Sequence, residues 1–174
     1  MNKFIRDKIR MTAIKLKEQS VRTLQEFQEL SYIKTAPKKA QEMPDFNAPK
    51  KKLKRFERLV GTEKHYWFFL ELNTPGVGND EELFLEFRTG HEGEHDAVNP
   101  QGLVYVNGKM QQGLDVNHRR VYLEPFSEYK ILVYFYTGLN TDAFVQVYDS
   151  AFIADLKVEN REIKGLYYDI LVPY

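Results

Sequence analysis

The hydrophobic rhythm of the chain changes about a third of the way along. From Phe4 to Ile33 the apolar residues Phe4, Ile5, Ile9, Ile14, Leu16, Leu24, Phe27 and Leu30 recur at three- and four-residue spacings, with Lys, Arg, Glu and Gln between them. Residues three and four apart share one helix face, so this spacing predicts an amphipathic helical stripe, divided near Ser20 into two helices. No Pro or Gly interrupts it. From Ala36 to Lys52 the periodicity stops, and Pro37, Pro44 and Pro49 stand among Lys, Asp and Asn. Such a stretch predicts an extended connector laid over a surface.

Beyond residue 61 the pattern shortens to that of strands. Tyr66 to Leu72, Leu83 to Phe87, Leu103 to Val106, Val121 to Leu123, Tyr129 to Tyr136, Ala143 to Tyr148, Phe152 to Val158 and Leu166 to Val172 are rich in β-branched and aromatic residues. Gly, Asn, Asp or Pro separates them, and strands at this spacing predict an antiparallel sandwich. Asn107-Gly108 tolerates the positive φ angles of a two-residue type I′ turn, so a hairpin is expected there. The segment from Ile131 to Tyr136 is apolar throughout, which predicts a middle strand covered on both faces.

At 174 residues the chain fits one domain, or one domain with an appendage. A chain of this size buries roughly 70% of its unfolded surface and needs neither metal nor disulfide to fold. The absence of cysteine excludes disulfides, thiolate zinc sites and cysteine catalysis. No apolar run reaches the length of a membrane span, and the charges in MNKFIRDKIRM break up any secretory h-region, so the expected compartment is the cytoplasm.

The net charge of zero conceals a division. Residues 1–60 hold 16 Lys/Arg against 7 Asp/Glu, residues 61–174 hold 9 against 18, and 19 of the 24 aromatics fall in the second stretch. Two parts are therefore expected: a basic helical segment with its Pro/Lys-rich connector over 1–60, and a β-sandwich domain over 61–174. The basic tract from Lys50 to Arg55, followed by Phe56, has the residue types of a nucleic-acid contact. The acidic second part would repel a polyanion and offers those cations an internal partner, so a paired or solvated face is expected instead. Neither nucleic acid nor a membrane is an expected partner.

His91-Glu92-Gly93-Glu94-His95 matches H-E-x-x-H in letters. That motif holds zinc because an α-helix sets the two imidazoles on one face. Gly90, Gly93 and Asn99-Pro100 argue against a helix, so a solvated acidic loop is expected, with adventitious metal capture by His91, His95 and Asp96 as the alternative. No G-x-S-x-G, P-loop or Rossmann fingerprint occurs. Between Gly113 and Arg119, Asp115 and Asn117 can cap a turn with side-chain hydrogen bonds, leaving His118 and Arg119 at the entrance to the next strand. Trp67, the sole tryptophan, lies in an apolar strand, where an aromatic ring more often fills a core than meets a ligand.

The run GLVYVNGKMQQGLDVNHRRVYL, from Gly102 to Leu123, closely resembles the N-terminal region of family-38 glycoside hydrolases, the class II α-mannosidases of the cytosolic and bacterial type. The resemblance takes in an N-terminal helical pair, the strand at Trp67-Phe68 and a closing Leu166-Tyr167-Tyr168-Asp169, and is strongest from about Trp67 to Val172. It implies a mainly β chain with a helical N-terminal segment, a jelly-roll sandwich of the galactose-binding type preceding a catalytic domain. In that family the catalytic domain carries a zinc bound by Asp and His and an Asp nucleophile, and it hydrolyses α-mannosides with retention. None of its opening motif occurs here, and the chain stops just after the LYYD segment. The resemblance thus implies an N-terminal domain without catalytic, cofactor or zinc residues of its own, which stabilises, orients or oligomerises a downstream hydrolase. Trp67, Asp115, Asn117, His118 and Arg119 are the candidates for interdomain or ligand contact, with turn formation the main role expected of Asp115, Asn117 and His118. The alternatives are a carbohydrate-binding module and a stand-alone interaction domain.

Overall fold

A computed structural model of the chain describes residues 3–36, 42–90, 92, 101–138 and 149–171. In chain order its elements are α1 (Lys3–Ser20), β1 (Val21–Glu26), β2 (Glu29–Thr35), β3 (Lys51–Lys54), β4 (Leu59–Val60), β5 (His65–Asn73), β6 (Glu81–Arg88), β7 (Gln101–Val106), β8 (Lys109–Leu114), β9 (Arg120–Leu123), β10 (Glu128–Tyr136), β11 (Asp149–Ser150), β12 (Ile153–Asn160) and α2 (Arg161–Leu171). A four-stranded sheet in the order β1-β12-β6-β9 faces a six-stranded sheet in the order β3-β2-β5-β10-β7-β8, and β4 pairs with β11 in a short ribbon. Every pairing is antiparallel. The chain is the antiparallel β-sandwich that the strand pattern predicts.

Two local expectations are corrected. The helical stripe ends at Ser20, whose Oγ donates to the Lys17 carbonyl at 2.8 Å, and the predicted second helix is instead β1 and β2. Tertiary pairing overrides the helical spacing: β1 zips along β12 from Val21↔Glu159 to Glu26↔Asp155, and β2 lies between β3 and β5. Paired this way, Leu30 and Tyr32 reach the core on alternate positions, a period of two hidden within the spacing of three and four. The strand expected over Leu166 to Val172 is helical in its described part, within α2. Asn160 caps that helix by accepting the Ile163 N–H at 2.9 Å, and Ile163, Leu166, Tyr167 and Ile170 follow at helical spacing. The strand expected over 143–148 lies outside the described residues.

The hairpin at Asn107-Gly108 forms as expected, with φ of 49° and 80°, the geometry of a type I′ turn. Asn107 Oδ1 accepts the Lys130 N–H at 2.9 Å, which moors the turn to β10. β10 is a middle strand, flanked by β5 and β7, with Leu132 and Val133 buried on opposite faces. Between the sheets Phe68, Val104, Ile131 and Val133 meet Leu85, Val121, Leu156 and Val158. Phe152 stacks on Phe68 with ring centroids 3.9 Å apart, and also touches Phe135 and Phe87. A second apolar layer covers part of the outer face of the six-stranded sheet, where Phe46 from the Pro-rich connector packs with Phe69, Trp67 and Leu132.

Candidate functional site

Asp115 organises the turn after β8. Its Oδ1 accepts the N–H groups of Asn117 and His118 at 2.8 and 2.6 Å, and the His118 Nδ1 lies 2.9 Å from Oδ2. Burial works against the charged carboxyl, but the hydrogen bonds from His118 and Asn117 outweigh it and hold Asp115 below the usual carboxylate range. The Arg119 carbonyl accepts the Phe87 N–H at 2.9 Å, tying this turn to the four-stranded sheet. The motif that carries the family resemblance is therefore a hairpin followed by an Asx turn that joins the two sheets. Trp67 stands apart from it. β10 and β7 separate its strand from β8, roughly 14 Å at the usual strand spacing. Only 2% of Trp67 is exposed, and its ring packs beside Tyr105 and Tyr134.

Of the H-E-x-x-H string only Glu92 is described; His91, Gly93, Glu94 and His95 lie outside the described residues. The Glu92 Oε1 accepts the N–H groups of Thr89 and Gly90. Among the described residues no group of three His, Asp or Glu is placed to hold a metal ion, and no helix is long and apolar enough to cross a membrane. The basic tract is largely engaged within the molecule. Lys52 pairs with Glu29 at 3.1 Å, Lys50 lies over the Phe69 ring, and Arg55 forms a bidentate pair with Asp155.

That Arg55 pair belongs to a charged layer on the outer face of the four-stranded sheet. Asp155 also accepts from Arg88 at 2.7 Å, Glu159 accepts from Arg120 at 2.9 Å and Lys164 at 2.6 Å, and Lys157 reaches Glu86. Burial alone would push the carboxyls of Asp155 and Glu159 up. Hydrogen bonds from their cationic partners more than offset it, and both groups lie below their ordinary values. A glycosidase acid needs the reverse, a carboxyl kept protonated near neutral pH. This layer is suited to fixing β12 against its neighbours and to carrying α2 through Lys164.

Two features escaped the sequence reading. The first is α2 and its pairing with the predicted N-terminal helix. α1 and α2 pack together yet leave Phe4, Ile5, Met11, Leu166, Tyr168 and Leu171 about half exposed or more. The second is a shallow depression of about 630 Å³ at one end of the six-stranded sheet, lined by Glu63, His65, Gln101, Leu103, Tyr134 and Tyr136. The register sets His65 opposite Tyr136 and Tyr136 opposite Gln101, so three strands contribute to one row. The His65 ring lies nearly parallel to Tyr136 at 4.9 Å and to Tyr134 at 5.9 Å. Its Nδ1 shares a hydrogen bond with the Tyr134 hydroxyl. Desolvation lowers the His65 pKa, against a smaller opposing pull from Glu63, and raises those of both tyrosines, so all three rings are neutral at pH 7. The available signal was the alternation His65/Trp67 and Tyr134/Tyr136, hidden because every residue from Ile131 to Tyr136 is apolar or aromatic.

No family model matches the chain, and no curated protein matches it in sequence. In fold it is similar to a Ruminococcus gnavus β-glucuronidase at 10% identity, with a TM-score of 0.50 over 80% of this chain and 28% of that one. A second structure of the Ruminococcus gnavus enzyme, in complex with D-glucaro-d-lactam, has a TM-score of 0.49 at 10% identity, over 80% of this chain and 29% of that one. The chain spans less than a third of those glycoside hydrolase chains. At such identity the likeness establishes a shared sandwich fold.

Proposed function

We propose that this chain is a non-catalytic sandwich domain of a glycoside hydrolase, of the class II α-mannosidase type, which supports and orients a zinc-dependent catalytic domain of the same polypeptide. The observation that carries the docking role is the helix pair. Met11 is 55% exposed and Leu166, Tyr168 and Leu171 are each near half exposed, and apolar side chains left open on a helix pair suit burial against another domain. The hydrolase class rests on the Gly102–Leu123 motif, which folds as one hairpin and one Asx turn, and on a sandwich fold shared with part of a β-glucuronidase chain. Pairing of the buried carboxylates with Arg and Lys agrees with a role in support rather than in proton transfer. The zinc in this reading belongs to the catalytic domain.

The test is the coding sequence downstream of residue 174, together with an assay of both products. A hydrolase domain with Asp and His metal ligands is expected there. The long product should cleave an aryl α-mannoside, and the 174-residue chain should not. Cleavage by the short chain, or a downstream sequence with no hydrolase domain, overturns the proposal.

A further inference from the structure

We infer that the depression over β5, β10 and β7 is a binding site for a neutral hexopyranoside, formed by Glu63, His65, Gln101, Tyr134 and Tyr136. The aromatic part of the argument is the near-parallel set of His65, Tyr134 and Tyr136. Such rings offer apolar surface with a polar edge, the combination that suits a sugar, whose C–H groups and hydroxyls point in different directions. The polar part is a set of groups with no hydrogen-bond partner among the described residues: the Glu63 carboxylate, the Gln101 amide and the Tyr136 hydroxyl. With Nδ1 engaged by Tyr134, the Nε2 edge of His65 joins them. A carboxylate only accepts, an amide both donates and accepts, and a phenol does either, which matches the mixed demands of neighbouring sugar hydroxyls.

Size and charge narrow the ligand. About 630 Å³ lies within the range of small-molecule sites, roughly 300–1,000 Å³, and admits one or two sugar rings. Among the described lining residues Glu63 is the one carboxylate and no Lys or Arg joins it, so an anionic sugar such as a uronate would be repelled and a neutral one is favoured. The site is also preformed. The Glu63 N–H donates to the Gly138 carbonyl at 2.8 Å, Thr137 Oγ1 donates to the Gly61 carbonyl at 2.9 Å, and the Lys64 N–H donates to Thr137 Oγ1 at 3.0 Å. These bonds clamp the segment that carries Glu63, so little ordering cost falls on binding. The site lies on the six-stranded sheet and involves no residue of the helix pair, so it stands or falls independently of the docking role.

The experiment is calorimetric titration of the 174-residue chain with methyl α-D-mannopyranoside, methyl β-D-glucopyranoside, an α-mannobioside and D-glucuronate. Saturable binding of at least one neutral glycoside, with Kd on the order of 1 mM or tighter, is expected, and glucuronate should not bind. Tyr136→Ala and Glu63→Gln should each weaken binding at least about tenfold, equivalent to about 1.4 kcal/mol. Tyr136→Phe, which removes only the hydroxyl, gives a variant with its ring packing intact should Tyr136→Ala fail to fold, and it should weaken binding by a smaller factor. Tyr122→Ala, on the opposite sheet, should leave binding unchanged. Silence from every neutral glycoside, affinity unaltered in folded Tyr136 and Glu63 variants, or equal affinity for glucuronate overturns the inference.

Discussion

Replacing Asp155 with Ala should lower folding stability by about 3–5 kcal/mol, the usual cost of stripping a buried charge of its partner. The magnitude follows from what remains. Only 2% of the Asp155 side chain and 7% of the Arg55 side chain are exposed, and the two are joined at 2.7 and 3.2 Å. Without the carboxylate, Arg55 keeps a long contact of 3.6 Å to the half-exposed Glu26 and another of 3.5 Å to the Phe27 carbonyl. Arg88, with 32% of its side chain exposed, can turn to water and adds little to the penalty. At about 2–4 °C per kcal/mol for a chain of this size, Tm should fall by about 6–20 °C. Urea unfolding followed by Trp67 fluorescence at pH 7 measures the loss, and the slope with denaturant should not change. Arg55→Met combined with Asp155→Leu should recover most of it, because an apolar pair avoids the desolvation of both ions. An Asp155→Ala protein within about 1 kcal/mol of the parent, or a double variant no better than the single one, refutes the reasoning.

The same carboxylates set the response to acid. Asp155 and Glu159 have folded pKa values below their ordinary ones, so the unfolded chain binds more protons and the stability present above about pH 4.5 drains away as the pH falls through the lower folded values. His65, also lowered, adds a shallower loss that begins below 6.5; thermal melts from pH 3 to 8 should show both, and a flat profile would contradict them. Phe152→Ala should cost about 3–5 kcal/mol by emptying the stack on Phe68, read by denaturant unfolding. Gly102→Ala should destabilise more than Gly108→Ala in the same assay. A Cβ at 102 would stand 2.8 Å from the Tyr134 carbonyl oxygen, whereas at 108 it meets open space and costs only the strain of φ +80°, about 1–2 kcal/mol.

The sandwich was legible wherever a strand carried its own signal: the Asn-Gly turn, the wholly apolar middle strand, and the strands bounded by Gly and Pro. Legibility failed where pairing partners lie far away in sequence. Val21 to Glu26 spaces its residues acceptably for a helix, and only β12, more than a hundred residues on, makes it a strand. At the other end Leu166 to Leu171 has strand-like composition, but the Asn160 cap and the face offered by α1 decide for helix. The charged layer was partly readable, since Asp155, Lys157 and Glu159 alternate with Ala154, Leu156 and Val158. Their cationic partners, Arg55 and Arg120, come from segments that nothing in the local pattern brings near. The aromatic depression has the same origin, because its row crosses three strands and exists only once their register is set.

Among the described residues β12 is the last strand in sequence, and it lies inside its sheet, between β1 and β6. During synthesis at about 5–20 residues per second, β1 and β6 emerge long before the segment that joins them, and both leave the ribosome with hydrogen-bonding edges bare. The nascent polypeptide must therefore reach Ile153–Asn160 before the four-stranded sheet can close, so a chain cut upstream of Ile153 leaves the edges of β1 and β6 open to mispairing.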